Sequence, residues 1–422
     1  MSYHYLLDLA LILLSTKLLG IATGKFQMPR VVGALLAGLI LGPAVLNVLS
    51  ETEFLTQLSE LGVIVILFTA GMGTDLRELR SAGKAGFLVA LCGVLVPMLM
   101  GTGFGALAGR LGWLPENTFL ENLFLGTVLT ATSVSITVET LKELGRLDTK
   151  VGSTILAAAL IDDVLGLIAL TLVSSMAGGG DGLLLVLLKI VLFFVFAIAA
   201  ACGGIWLFRL MIEKAHEKNL RRYPVFAFVL CLLLAYCAEE FFGVADIIGA
   251  FAAGLVVACT PKADYIRSKF EPLSYLLLTP VFFAGIGIKV ELPRLTGTLA
   301  ALSLSLLAVA ILSKIIGCGL GARLCGFGGR ERLQVGTGMA CRGEVALIVA
   351  NRGLSMGVLS QAIMTPVVIT VVGCAVLTPI LLKLAFHGQP EGSAAENDLA
   401  GRYHRAEQLE QVSDEMLRKR MK

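Results

Sequence analysis

A succession of long apolar runs is the feature that most constrains how this chain can fold. Of its 422 residues, 56% are hydrophobic and only 15% are charged. Soluble globular proteins carry roughly a quarter charged residues, and disordered chains have low hydrophobicity. A bilayer interior requires apolar spans of about 20 residues whose backbone groups bond within the segment. The composition therefore predicts an all-α polytopic membrane protein and excludes a soluble enzyme.

Runs bounded by charges or by glycine and proline predict thirteen transmembrane helices. Their approximate ranges are 5–24, 30–49, 57–74, 84–109, 119–143, 149–177, 182–212, 223–241, 245–260, 268–288, 295–324, 331–353 and 357–386. Lysine and arginine concentrate in the odd-numbered connections, for example at 209–222 and 262–269. Because cytoplasmic loops are enriched in these residues, we expect an inner-membrane protein with its N-terminus outside and its C-terminus in the cytoplasm.

The remaining composition offers no sign of a cofactor or of a nucleic-acid partner. The net charge is only +3, and the nine cysteines form no C-x-x-C pair. Neither a phosphate-binding G-x-x-x-x-G-K-[ST] loop nor an H-E-x-x-H metal motif occurs. Residues 387–422 are polar and charged. They predict a short cytoplasmic tail, either simply solvated or with a small regulatory or oligomerisation role.

Three short motifs recur in the same order at a nearly constant offset, which indicates an internal repeat. Gly33-Ala-Leu-Leu-Ala-Gly-Leu39 matches Gly249-Ala-Phe-Ala-Ala-Gly-Leu255, and Ala70-Gly-Met-Gly73 matches Ala284-Gly-Ile-Gly287. The segment 105–111 resembles 319–324. Seven helices separate each pair of partners, so the two repeats enter the membrane from opposite sides. Inverted repeats of this kind are typical of secondary transporters.

Two neighbouring carboxylates, Asp162 and Asp163, lie near the middle of the apolar run 149–177. A charge at mid-bilayer costs roughly 2.5–3.5 kcal/mol on insertion scales and is usually functional. Adjacent helix positions point about 100° apart, so the two groups can face different partners. Two such buried acids do not ionise together easily. The alternative, an acid pair at a helix end, is opposed by apolar sequence on both sides.

Lys314 is the second charge inside an apolar run, at 295–324. A buried ammonium needs a counter-charge, and Asp162 or Asp163 is the natural partner. The alternative is a lysine that extends its stem to reach the membrane interface, which the central position of Lys314 disfavours.

Two segments interrupt the apolar pattern in corresponding positions of the two repeats. Residues 127–137 are dense in hydroxyl side chains, and residues 336–345 contain Arg342 and Glu344 between apolar flanks. Broken transmembrane helices expose carbonyl groups and half-helix ends that bind ions or need compensating charge. The alternatives are hydroxyls bonded back to carbonyls of an intact helix and a local Arg342–Glu344 pair at the end of a span.

Taken together, these residues resemble the monovalent cation:proton antiporter-2 family, which includes NapA-like sodium/proton antiporters and Kef-type potassium relatives. The likeness extends over about residues 5–386. The motifs that carry it are Gly38-Leu-Ile-Leu-Gly-Pro43, Thr130-Ala-Thr-Ser133, Ile161-Asp-Asp163, Pro280-Val-Phe-Phe-Ala-Gly-Ile-Gly287, Lys314 and Gly338-Met-Ala-Cys-Arg-Gly-Glu344.

The resemblance implies an architecture of thirteen transmembrane helices with two inverted five-helix repeats. A six-helix core domain, residues 84–177 and 295–386, would hold two crossed broken helices. Residues 1–74 and 223–288 would form a dimerisation panel, and 182–212 would be a linker helix. The family also implies a homodimer.

Roles for the buried acids follow from the same resemblance. Asp163 would bind Na⁺ or a proton, and Asp162 would form an ion pair with Lys314. No resident metal or cofactor is implied, because Na⁺ at Asp163 is cargo.

The two interrupted segments also receive roles from the resemblance. Thr132 and Ser133 would lie at the first chain break and contribute to the cation and proton site. Arg342 and Glu344 would compensate charge at the second break. Ser133 stands where some relatives have an acidic residue, whereas the Asp-Asp pair and the short tail favour a sodium-type exchanger.

We therefore expect a secondary active transporter, not an enzyme, that exchanges Na⁺ or Li⁺ for H⁺ by an elevator-type movement. Asp163 would alternate between protonated and cation-bound states. If protons compete at both carboxylates, two protons move per Na⁺ and transport is electrogenic. The alternatives are K⁺/H⁺ exchange on the same fold, a sodium-coupled symporter of organic anions, and a gated channel.

Overall fold

The structure, a computed structural model, describes residues 4–25, 28–74, 76–114, 117–177, 183–214, 222–290 and 297–387. These residues fold into helices joined by turns, which confirms the all-α prediction. The tail predicted at 387–422 lies outside the described residues except for His387, which ends the last helix.

Sixteen α-helices form the described part of the chain. In the first half they are α1 (His4–Lys25), α2 (Arg30–Leu41), α3 (Glu53–Gly73), α4 (Leu76–Arg110), α5 (Phe119–Val128), α6 (Val134–Glu143), α7 (Lys150–Met176) and α8 (Leu183–Lys214). In the second half they are α9 (Arg222–Phe242), α10 (Asp246–Ala258), α11 (Ala263–Leu273), α12 (Thr279–Ile288), α13 (Gly297–Leu324), α14 (Gly329–Gly338), α15 (Glu344–Ser355) and α16 (Met364–Phe386). A π-helical turn joins α11 to α12 without a gap.

Among the described residues, nine helical segments are long and apolar enough to cross a membrane. Four apolar helices are shorter, and α2 and α10 have 12 and 13 residues. The predicted span 30–49 is therefore too long, because α2 ends at Leu41. Gly42 has extended backbone angles (φ −73°, ψ −177°) immediately before Pro43, and a residue that precedes proline disfavours the helical region.

The helices pack as two bundles. The first bundle comprises α4–α7 and α13–α16, in which α4 packs on α5, α7 and α13 while α13 packs on α14 and α16. The second bundle comprises α1–α3 and α9–α12. Helix α8 contacts α7 of the first bundle and α9 and α10 of the second. Direct contacts between the bundles run mainly through α2 and α3 against α6 and α16.

The repeated glycine motifs meet each other in the second bundle. Helix α2 packs on α12, and α10 packs on α3, so each motif of one half contacts the other motif of the opposite half. A side chain at Gly38 would overlap the carbonyl oxygen of Ala284, and one at Gly254 would overlap that of Phe68. Small residues allow this close backbone approach between membrane helices. The packing of the two pairs of motifs is therefore reciprocal.

Two stretches of irregular backbone lie inside the first bundle. Helix α5 ends at Val128 and α6 begins at Val134, while α14 ends at Gly338 and α15 begins at Glu344. The hydroxyl-rich segment is therefore not an intact helix. Buried irregular backbone at membrane depth must find hydrogen-bond partners within the protein.

Candidate ion-binding site

A fully buried ion pair lies between α7 and α13. The Lys314 Nζ donates to Oδ1 of Asp162 at 2.8 Å and to Oδ2 at 2.9 Å. The two side chains are 0% and 1% exposed. Removing two charges from water is costly, and only close geometry with further hydrogen bonds compensates for it. Of the two predicted partners for Lys314, the structure places Asp162 in contact.

The first chain break contributes a third member to this contact. The Thr132 hydroxyl donates to Asp162 Oδ2 at 2.7 Å, so both carboxylate oxygens have donors. Other hydroxyls of the run bond to backbone carbonyls nearby, such as Thr130 to Thr127 O at 2.7 Å. The run therefore combines local back-bonding with one hydroxyl directed at the acid.

Helix α4 covers the ion pair with a glycine. A β-carbon at Gly93 would lie 3.5 Å from both Asp162 Oδ1 and Lys314 Nζ, and only 2.7 Å from Cys318 Sγ. The absence of a side chain at Gly93 thus lets α4 lie directly against the pair. Sequence reasoning missed this residue, because nothing local distinguishes it from the other glycines of α4.

The two chain breaks touch each other through main-chain and hydroxyl hydrogen bonds. The Ser133 N–H donates to Cys341 O at 3.0 Å, and the Thr137 hydroxyl donates to Gly338 O at 2.8 Å. The Ser133 hydroxyl lies 3.5 Å from Ser135 Oγ. Ser133 therefore joins the two breaks through its N–H rather than its hydroxyl.

Arg342 occupies the second break and is 1% exposed. Its guanidinium donates to Ala310 O at 3.2 Å and to Cys341 O at 3.4 Å. Carbonyl groups near a half-helix end carry partial negative charge, so a buried cation there is stabilised. Glu344 begins α15, but its side chain lies outside the described residues.

Asp163 is half-buried, and its side chain points about 100° around α7 from that of Asp162. It shares a helix face with Leu160 and Leu167, which pack against a cluster that includes Val244 and Ile248 of the second bundle. Asp163 thus lies where the two bundles meet, next to the carboxylate that Lys314 holds.

Interrupted helices that cross around buried charge are the arrangement of secondary transporters, and this fold and site define a multi-pass helical membrane transporter. Residues 10–386 match the family described as sodium/hydrogen exchanger, transmembrane. The chain belongs to this family.

Two relatives resemble the chain over nearly its whole length. The chain is 39% identical over 401 residues to the Na⁺/H⁺-K⁺ antiporter GerN of Bacillus cereus, covering 94% of this chain and 100% of that protein. It is 35% identical over 379 residues to a Na⁺/H⁺ antiporter of Enterococcus hirae, covering 89% and 96% respectively.

Among solved structures, the fold is similar to the sodium proton antiporter MjNhaP1 from Methanocaldococcus jannaschii at pH 8. The TM-score is 0.64 at 20% sequence identity, and the match covers 90% of this chain and 96% of that one. At this identity the likeness concerns the fold alone.

The ion pair makes a prediction about stability. Lys314→Met leaves Asp162 buried without its counter-charge, which costs about 3–5 kcal/mol, so we expect a clear drop in the thermal midpoint of the detergent-solubilised protein. The double variant Asp162→Asn/Lys314→Met removes both charges and should lose less than the single variant. Lys84→Met, at an exposed position of α4, is the control. A double variant at least as unstable as the single one would contradict the coupling.

Proposed function

We propose that this protein is a secondary active transporter that exchanges Na⁺, or Li⁺, for H⁺ across the membrane. The observation that carries the proposal is Asp163, a half-buried acid at the boundary between the bundles, directly beside an Asp162 that Lys314 already neutralises. Membership of the sodium/hydrogen exchanger family agrees with it, as do the functions of the two antiporter relatives. The chemistry needs cargo ions and a carboxylate but no cofactor.

The exchange follows from competition for one carboxylate. Sodium ion and proton both need the lone pairs of Asp163, so occupation by one excludes the other. Either ligand neutralises the acid, and a neutral site crosses a low-dielectric region at lower desolvation cost than a charged one. The same desolvation cost prevents the site from crossing while Asp163 is empty and charged. The flux of Na⁺ is therefore coupled to the flux of protons.

We propose an elevator-type movement of a core domain, residues 84–177 and 295–386, past a panel formed by 1–74 and 223–288, with 182–212 as linker helix. The separate packing of the two bundles supports this division. We also propose thirteen transmembrane helices with two inverted five-helix repeats, in which four of the spans are short or broken. The reciprocal packing of the glycine motifs supports the inverted repeats. The position of Asp163 between the bundles supports a cargo site at the proposed sliding surface.

Polar contacts join the bundles at the end of the molecule that is rich in lysine and arginine. Glu143 Oε2, at the end of α6, accepts from the Arg30 N–H at the start of α2 at 2.8 Å. Asp148, in the loop before α7, interacts electrostatically with Arg267 on α11. Partial burial raises the pKa of Asp148, and the Arg267 guanidinium opposes that rise. Contacts of this kind are weak enough to break in each transport cycle.

The surroundings of the transporter are proposed from its charges and motifs. Following the positive-inside rule, we place the N-terminus outside and the C-terminus in the cytoplasm of an inner membrane. We propose a homodimer formed through the panel, and membership of the monovalent cation:proton antiporter-2 branch with its NapA-like exchangers. The motif residues Asp162, Asp163 and Gly338–Glu344 support that branch.

Stoichiometry depends on the Asp162–Lys314 pair. If Asp162 releases Lys314 to take a proton when Asp163 does, two protons move for each Na⁺ and net charge crosses the membrane. We expect Na⁺-driven proton flux in proteoliposomes to change with an imposed membrane potential. A flux that is indifferent to voltage would exclude this stoichiometry.

The central test is removal of the Asp163 charge. Asp163→Asn keeps the size of the side chain but cannot be protonated or neutralise Na⁺, so Na⁺-driven proton flux in proteoliposomes should fall to the level of protein-free vesicles. Asp264→Asn makes the same change on the exposed side of α11 and should leave the flux intact. Full exchange in the Asp163 variant overturns the proposal.

Potassium/proton exchange is the second candidate, since the name of the relative GerN includes K⁺. Proton flux driven by Na⁺, Li⁺ or K⁺ gradients at several pH values separates the two. We expect Na⁺ and Li⁺ to drive the larger flux at this acid-rich site, and a flux driven mainly by K⁺ would favour the second candidate.

A further inference from the structure

A short hydrogen-bonded ladder joins the two chain breaks. Its first rung runs from the Ser133 N–H to Cys341 O at 3.0 Å, and its second from the Thr137 hydroxyl to Gly338 O at 2.8 Å. Ser133 is the residue immediately before α6, and Thr137 lies four residues later at the start of that helix. The start of α6 is thus attached to the segment that follows α14 at two points.

The second rung occupies a carbonyl that a helix end leaves unsatisfied. Gly338 is the last residue of α14, and the last four carbonyls of a helix have no partner within it. Thr137 is 2% exposed, so no bulk water replaces its hydroxyl there. A buried carbonyl without a donor costs about 1–3 kcal/mol. The Thr137 hydroxyl therefore holds the end of α14 in one position relative to α6.

Thr132 lies immediately before this ladder and donates to Asp162 Oδ2 at 2.7 Å. If α14 shifts relative to α6, the hydrogen bond from the Ser133 N–H to Cys341 O pulls Ser133 along. The Thr132 hydroxyl, one residue earlier, then moves as well. The second break is tied to the same place, because Cys341 O accepts from both Ser133 and Arg342. The ladder thus transmits the position of one broken helix to the donors around the acidic pair.

We propose that Thr137 is a positioning residue for ion exchange. Through the Gly338 carbonyl it fixes the register of the two broken helices, and through Ser133 it fixes where the Thr132 hydroxyl meets Asp162. The proposal rests on the proposed exchange of Na⁺ for H⁺ and adds a residue to it. Thr137 touches neither carboxylate, so its effect is indirect.

Helix α6 offers a matched control. Thr140 follows Thr137 by three residues and is 0% exposed, but its hydroxyl returns to Ile136 O of its own helix at 2.7 Å. Thr137→Val and Thr140→Val therefore make the same chemical change at buried positions. Only the first removes a bond between the two broken helices. Thr137→Ser keeps the hydroxyl and should restore the bond.

The experiment compares these three variants with the wild-type protein in proteoliposomes, from the dependence of proton flux on Na⁺ concentration and on pH. We expect Thr137→Val to raise the apparent KM for Na⁺ roughly 2- to 30-fold, the range of coupling carried by hydrogen-bonded networks, and to shift the pH profile. Thr140→Val and Thr137→Ser should keep the wild-type KM and profile. Equal kinetics for the two valine variants, or a stability loss at Thr137 with unchanged KM, overturns the positioning role.

A second measurement separates failure of this inference from failure of the proposed function. Amide hydrogen exchange of the protein in detergent reports whether the segment 338–343 is held. It should accelerate in Thr137→Val and not in Thr140→Val, whatever ion is transported. If wild-type protein exchanges no cation for protons, the proposed function fails. If amide exchange in this segment is the same in both valine variants, the ladder has no positioning effect and the inference fails.

Discussion

The structure depends on one constraint: a charge inside an apolar bundle must be neutralised where it lies. Lys314 and Asp162 satisfy it together, each buried and within 2.9 Å. Three helices must meet to make this possible. Helix α13 supplies the ammonium and α7 the carboxylate, and the glycine of α4 lets that helix lie directly against the ion pair. The neighbouring Asp163 occupies the next position of α7 and is only half-buried.

A second demand comes from the irregular backbone around that pair. Broken helices present carbonyls and N–H groups that no helix satisfies, and inside a membrane protein water is a limited substitute. Here the two breaks satisfy each other, through Ser133 with Cys341 and Thr137 with Gly338, while the Arg342 guanidinium donates to Cys341 O and to Ala310 O of α13. The first break also carries Thr132, whose hydroxyl donates to Asp162, so these contacts lie directly beside the ion pair.

Much of the site could be predicted because charge is so rare in this sequence. Asp162, Asp163 and Lys314 stand out within apolar runs, and the pairing of Lys314 with one of the acids follows from the cost of burial. The interrupted segments are visible from hydroxyl density and from Arg342. Gly93, Ala310 and the bond from Thr137 to Gly338 could not be predicted, because glycines, alanines and threonines occur throughout the chain and only contacts between distant segments give these three a purpose. The length of α2 was overestimated because hydropathy is insensitive to where Gly42 and Pro43 end a helix.

The sequence by itself determined that the chain is a helical membrane protein, that short glycine motifs recur in its two halves, and that a few charged residues lie within its apolar runs. Those features are visible in the linear sequence, because they depend only on the length of apolar runs, the spacing of motifs and the positions of isolated charges. Only the tertiary structure decided that Asp162 rather than Asp163 holds Lys314, and that the two chain breaks bond to each other. Adjacent residues on a helix point about 100° apart, so which of them faces a distant lysine depends on how α7 is rotated against α13, and packing alone sets that rotation.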